Sequence, residues 1–522
     1  MSLPRQGVLL CGRLLMSVQV KGIISSGNDG LIVDVQCHLS NNLPNIVVVG
    51  FANKAVDEAR ERLRGAFSSS GLLMPRKRVI LNLAPADVPK VDSSFDLAMG
   101  LSIMYASGQI TDSVRADQAF IGELGLDGSL RPVRGIIGKV LTGRNKGIKT
   151  FFIPSANLEQ AQLVPGVCLI PVESLAQLFH HFNQIDKIIE FHTGDGKLSK
   201  KPIISTDSGV SLSEIVGQHQ AKRALEIAAA GGHNIFFSGP PGTGKSMLAK
   251  ALASIMPQLS REEVLEVTHL HSLASNNYDK IITSRPFRAP HHSASHVSIT
   301  GGGHNLRPGE ISLAHRGILF LDELPEFHRL TLESLRQPLE DRQISIARAK
   351  NAVEYPANFI LVATANPCPC GYYGTSGNCS CQPYQITRYR RRISGPIIDR
   401  IDLFSAVHDV EHNKLLNGQK DPAIDSQTLQ RILSARSIQS KRYSSSSKLN
   451  NDMTNSDIHK FAKLTEEAKK LLNSASVKLN VSARSYMRTV KVARTIADIE
   501  NSIEVGENHI SEALAYRAQG LK

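Results

Sequence analysis

The chain runs to 522 residues, 41% hydrophobic and 20% charged, with 60 lysines and arginines against 47 acidic residues and a formal net charge of +13. That length predicts about three or four domains of ordinary soluble composition. No apolar run approaches the roughly 18 residues of a spanning helix, so no membrane-spanning helix is expected, and the basic balance points to a polyanionic partner, nucleic acid before a membrane surface.

The opening "MSLPRQGVLLCGRLLMSVQV" has only short apolar patches and no convincing cleavage site, so a cytoplasmic address is expected. Reducing cytosol then disfavours structural disulfides. A first region, 1–185, holds β-rich stretches ("LIVDVQCHL", "NIVVVGF") and the amphipathic helix "KAVDEARERLRGAFSSSG", an α/β pattern. Residues 186–210 are polar and aperiodic, a linker. A second region, 211–410, carries the chemistry, and a linker at 411–423 leads to a helical third region, 424–522. Within the latter the serine run at 444–457 is expected to form a mobile loop.

"HNIFFSGPPGTGKSMLAKALASIM" joins an apolar strand, a glycine-rich turn and an amphipathic helix. Gly239, Pro240, Pro241, Gly242, Thr243, Gly244, Lys245 and Ser246 complete the pattern G-x-x-x-x-G-K-[ST]. Glycines let backbone N–H groups face phosphates, and the helix N-terminus adds its dipole. Lys245 would reach the β- and γ-phosphates of ATP, and Ser246 would ligate Mg²⁺. After a buried-strand pattern, "GILFLDELPEF" supplies Asp322 for the same Mg²⁺ and Glu323 to polarise water. A third apolar strand, "ANFILVATANP", ends in Asn366, placed to orient that water or sense the γ-phosphate.

These three elements resemble the AAA+ ATPase core. Longer stretches, among them "RPFRAPHHSASHVSITGGG", "LESLRQPLE", "ANPCPCG", "RISGPIIDRIDL" and "VARTIADIE", resemble the ComM/YifB family of magnesium-chelatase-like AAA+ proteins over nearly the whole chain. The resemblance implies a P-loop core of the magnesium-chelatase/MCM type with a C-terminal helical lid. It further implies a hexameric DNA helicase that drives branch migration on single-stranded and branched DNA during natural transformation. Position by position, Arg400 matches the arginine finger given to a neighbouring subunit, Arg484 the sensor-two arginine of the lid, and Val216 and Gly217 join the nucleotide-binding set. Arg488 and Arg494 lie on what reads as the same helix as Arg484.

Lys245 and Asp322 stand about 75 residues apart, more than a compact strand–helix–strand unit requires. The excess resembles the family's helix-two insertion. "EDRQISIARAKNAVEYPA" reads as a hairpin with Arg348 and Lys350 near its tip. In related motors such elements face the pore, so Arg348 and Lys350, with His291 and His292, are expected to grip the DNA backbone.

Cys368, Cys370, Cys379 and Cys381 form C-x-C-x8-C-x-C, tighter than the commoner C-x2-4-C of zinc sites, and a structural Zn²⁺ clamp is expected there ahead of free thiols. The clamp would fix the basic patch "RYRRR" at 388–392, which would meet DNA or a neighbouring subunit.

The first region resembles a Lon-protease-like (ribosomal S5 domain 2-like) α/β domain. "APADVPKVDSSFDLAMGLSIM" parallels the stretch carrying the Lon nucleophile, with Ser94 at or near the serine. Alignment on "GIKT" sets Ile137 at the general-base position, with Lys139 two residues on, so the resemblance implies a domain without proteolysis. A chelatase-like motor remodelling a protein partner is the second reading, and an ATP-dependent Lon-like protease the third.

Overall fold

A computed structural model describes residues 18–50, 54–86, 92–110, 112–194, 210–275, 280–303, 306–348, 351–374, 378–410, 422–479 and 481–517. The chain divides into two units, residues 1–200 with 275–281, and 201–274 with 282–522.

In the first unit, alternating apolar residues make strands with one buried face: Val33, Val35 and Cys37 point inward from Asp29–Ser40. That strand pairs antiparallel with Val18–Ser26 and Arg78–Ala84, and Asn45–Val49 adds a parallel edge. The helix Lys54–Ser69 buries Ala59, Leu63, Ala66 and Phe67, four positions on one helical face. Asp96–Ala106 is apolar nearly all round and is buried accordingly. A second sheet orders Phe191–His192, Cys168–Val172, Thr150–Pro154 and Gln118–Phe120, the last three parallel.

The second unit is built on five parallel strands in the order Phe287–Arg288, Ile318–Leu321, Ile360–Ala365, Ile235–Ser238 and Leu403–Ala406. The middle strands carry near-continuous apolar runs because helices cover both faces of such a sheet. One face shares its core with the C-terminal helices Pro422–Tyr443, Glu466–Lys478, Ala483–Ile499 and Glu507–Ala515, through Ile432, Leu472, Val492, Ile496 and Ile510. The hairpin Gln343–Arg348/Asn351–Pro356 forms as expected from the sequence. Among the described residues no helix is long and apolar enough to cross a membrane.

The serine run at 444–457 differs from its expectation as a mobile loop. It contains a short 3-10 turn, Asn450–Asp452, and Thr454 caps the helix Asn455–Phe461. Buried Asn450 donates to Asp498 at 2.8 Å and to Thr495 at 3.1 Å, and accepts from Arg442 and Tyr443. Asparagine offers both donors and acceptors, so it satisfies several buried polar groups where a periodic apolar pattern would predict nothing.

Buried Asp402 ties the sheet to the C-terminal helices. It accepts from the Asn234 amide at 2.9 Å and pairs with Arg488. Burial would raise this carboxyl, but Arg488, His233 and the amide outweigh it and hold it well below the usual range. A depressed carboxyl stabilises the fold above the unfolded pKa of about 3.9 and loses that contribution as pH falls through the folded value. Asp402→Asn is therefore expected to cost about 3 kcal/mol at neutral pH and to flatten the acid side of the melting-temperature profile. Thermal melts of both chains from neutral to acid pH check this; parallel curves would refute it.

Candidate active site

The strand Ile235–Ser238 runs into the glycine loop, and the loop into the helix Lys245–Ile255. Gly242 and Gly244 sit at φ 83° and 86°, where a side chain is strained. Gly239 is required by contact instead, since a Cβ there would stand 2.2 Å from the Val407 carbonyl oxygen. Lys245 Nζ donates to the carbonyls of Gly239 at 2.8 Å and Pro240 at 2.7 Å, and to Asn366 Oδ1 at 3.2 Å. Burial draws its pKa below the ordinary lysine value, against the pull of Asp322 and Glu323. Anionic phosphate oxygens are stronger partners for this ammonium than neutral carbonyls. Thr243 closes the loop by donating to Pro240 O. Val216 and Gly217 precede Gln218, whose Nε2 donates to His408 O beside Val407, so this segment is anchored next to the loop.

Asp322 and Glu323 follow the strand Ile318–Leu321, which pairs with Ile360–Ala365, itself paired with the loop strand. Ser246 Oγ donates to Asp322 Oδ2 at 3.1 Å across 76 residues of chain. A hydroxyl and a carboxylate side by side are the hard oxygen donors Mg²⁺ takes while keeping its waters. Thr364, which motif reading misses, donates to Asp322 Oδ1 at 2.5 Å and accepts from the Glu323 amide at 3.0 Å. Its signal in the sequence is a hydroxyl inside the apolar run "ILVATA". Glu323 adopts a left-handed φ of 52°, and its side chain is exposed at the strand end. Asn366 ends the neighbouring strand and meets Lys245.

Arg400 lies at the other end of the same sheet. Its carbonyl accepts from Asn234, the residue just before the loop strand begins, whereas the loop follows that strand's last residue. The Arg400 guanidinium meets Glu340 Oε2 at 2.6 Å and Pro396 O at 2.6 Å. Arg484 also pairs with Glu340, so the two arginines share one carboxylate away from their own glycine loop. Arg488 pairs with Asp402, and Arg494 is buried against Asp498 and the carbonyls of Ser502 and Ile503, which leaves Arg484, 48% exposed, as the most accessible of the three.

His291 and His292 stack at 4.1 Å between ring centroids, and His291 Nδ1 meets Ser293 Oγ at 2.7 Å. Arg348 pairs with Asn351 at the turn end of its hairpin, and Lys350 lies outside the described residues.

The four cysteines converge. Cys368 Sγ stands 3.3 Å from Cys370 Sγ and 3.8 Å from Cys379 Sγ, and all four sulfurs lie within 4.8 Å of one another. Tetrahedral zinc thiolates, with Zn–S of about 2.3 Å, have sulfurs about 3.8 Å apart, so the set fits Zn²⁺. Gly371, at φ 90°, packs this knuckle on the glycine loop: a Cβ would stand 2.6 Å from Pro241 Cδ. Purified protein is expected to carry about one zinc per chain, lost in Cys368→Ser. Elemental analysis decides, and metal-free, fully stable wild type would exclude the clamp.

In the first unit the structure corrects one residue. Ile137 is buried in the core, and Lys139, two residues on, is the lysine that reaches Ser94: Nζ and Oγ are 2.5 Å apart. Alignment of a short motif misses such a shift because reach is set by the helix Ile136–Asn145 and its packing. Asp92 accepts from the Ser94 amide at 2.8 Å and pairs with Lys139 at 3.0 Å. Burial lowers the lysine's proton affinity while Asp92 opposes it.

A glycine phosphate loop, a carboxylate pair two strands away and a polar sensor on the strand between them, on a parallel sheet, define an AAA+ type ATPase. Family profiles described as "Magnesium chelatase, subunit ChlI", "Subunit ChlI of Mg-chelatase" and "Magnesium chelatase, subunit ChlI C-terminal" match residues 211–415, 35–157 and 425–517. Competence protein ComM of Haemophilus influenzae is 40% identical over 504 residues, 95% of this chain and 96% of its own. The YifB protein of Escherichia coli is 40% identical over 492 residues, 93% of this chain and 94% of its own. The chain belongs to the ComM/YifB family of magnesium-chelatase-like proteins. A magnesium-chelatase 38 kDa subunit of Cereibacter sphaeroides is 26% identical over 176 residues, 30% of this chain and 52% of its own.

Proposed function

We propose that this chain is a cytoplasmic ATP-driven DNA translocase that migrates branched recombination intermediates, working as a hexameric ring in natural transformation. Similarity to a competence protein along nearly its whole length supports the setting. The single observation that carries the motor reading is the position of Arg400, across the sheet from its own glycine loop, where it suits the triphosphate of a neighbouring subunit. Glu323 polarises the attacking water, Lys245 and the loop amides hold the phosphates, and Asn366 orients the water against the γ-phosphate. Ser246 and Asp322 would hold Mg²⁺, which would supply positive charge beside the phosphates. Arg484, on the lid formed by 424–522, joins Arg400 at the interface. The hairpin tip with Arg348 and Lys350, together with His291 and His292, grips the DNA backbone without reading sequence.

Residues 1–185 serve as a Lon-like scaffold without proteolysis. Lys139 meets Ser94 as a base would, so this reading rests on the Asp92 carboxylate, which pairs with Lys139 at 3.0 Å and favours the ammonium form that cannot take the serine proton; peptide hydrolysis abolished by Ser94→Ala would overturn it. A chelatase-like motor acting on a protein partner is the second reading, favoured by the profiles over 35–157 and 211–415.

ATP-dependent migration of a synthetic four-way DNA junction tests the proposal. Failure by an assembled chain that hydrolyses ATP would move the assignment to the protein partner.

A further inference from the structure

The basic run at 388–392 is left unused by the reaction. Its helix, Pro383–Arg390, follows the cysteine knuckle and borders an open cavity of about 960 Å³. Among the described residues four arginines line that cavity, Arg329, Arg388, Arg391 and Arg392, with Tyr384 beside them and Glu326 the one carboxylate. Arg392 is engaged: its Nη1 meets Glu326 Oε2 at 2.6 Å. The guanidinium groups of exposed Arg388 and Arg391 have no hydrogen-bond or ion-pair partner among the described residues. Tyr384 presents its ring at 65% exposure, open to stacking from solvent. Just along the surface, Arg390 lies over the exposed Tyr373 ring at 5.4 Å.

Unpaired guanidinium groups beside open aromatic rings match the chemistry of single-stranded nucleic acid: phosphates take the charge and bases take the rings. We propose that this cavity is a second binding site for a single DNA strand, with Arg388 and Arg391 on backbone phosphates and Tyr384 against a base. It deepens the motor reading above and rests on it. The site also adjoins the reaction. Glu326 ends the turn Leu324–Glu326, which Glu323 opens, and Arg392 holds that turn through Glu326 and the Pro325 carbonyl. A phosphate that competes with Glu326 for Arg392 shifts the turn carrying Glu323, so strand occupancy is coupled to hydrolysis.

The test uses the full chain with Mg²⁺ and a non-hydrolysed ATP analogue, and measures anisotropy of fluorescein-labelled oligothymidine over a salt series. Arg388→Ala/Arg391→Ala is expected to weaken binding roughly 10-fold and to make the log–log salt slope shallower by about 1.4, the share of two single-strand phosphate contacts. Tyr384→Ala is expected to weaken it about 5-fold or more with the slope kept. Arg388→Lys/Arg391→Lys retains charge and keeps the slope, which separates lost contacts from misfolding. Wild type that does not bind the strand removes the motor reading and this site together. Wild-type binding that the alanine pair leaves unchanged in affinity and slope overturns the site alone. Alanine chains that keep DNA affinity but lose DNA-independent hydrolysis assign the arginines to a neighbour's triphosphate and also overturn it.

Discussion

Glu323→Gln is expected to keep ATP binding and lower the hydrolysis rate by about 100-fold or more, about 2.7 kcal/mol on the barrier. The amide is nearly isosteric and leaves the backbone bond from Glu323 to Thr364 intact, so the turn is preserved while the group that polarises water is lost. Lys245→Ala is its complement. It removes a cation aimed at the phosphates and should abolish nucleotide binding itself. Fluorescent-nucleotide titration and steady-state hydrolysis of the two chains separate these losses. A Glu323→Gln chain that hydrolyses ATP at the wild-type rate would place the water-activating group elsewhere, with Asp322 the remaining carboxylate of the pair.

Arg400→Ala is expected to lower turnover by about 10³-fold or more while ATP affinity is nearly kept, the pattern of an arginine acting only on the transition state. Its decisive feature is rescue. Because Arg400 lies across the sheet from its own loop, an Arg400→Ala chain retains a complete loop and carboxylate pair. A Lys245→Ala chain retains the arginine. In a head-to-tail ring of equal parts of both, about one interface in four combines the intact halves, and hydrolysis returns in that proportion. Glu340, which holds Arg400 and Arg484 together, must release them for this to occur. Mixtures that stay inactive would make Arg400 a structural partner of Glu340 and Pro396 alone.

Much of the nucleotide site is legible in the sequence. Gly239 to Ser246 are contiguous, so the chain that carries the residues also sets their spacing, and the apolar runs before Gly239, Asp322 and Asn366 identify three core strands. Four cysteines within fourteen residues are likewise close enough to converge whatever the fold. The helical third region follows from its periodicity. Legibility stops at residues whose role is a partner's position. Thr364 looks like one more strand residue, and Asn450 like part of a polar loop, because neither belongs to a repeating pattern.

The division has a physical cause. Order and spacing along a few residues are covalent, and from them alone come the phosphate loop, the carboxylate pair, the cysteine cluster and the hairpin. Contacts across the sheet depend on packing summed over the whole core, where a shift of one or two residues changes a partner. Only the tertiary structure brings Ser246 to Asp322, puts Lys139 rather than residue 137 against Ser94, and gathers Arg400 and Arg484 on Glu340, away from the glycine loop.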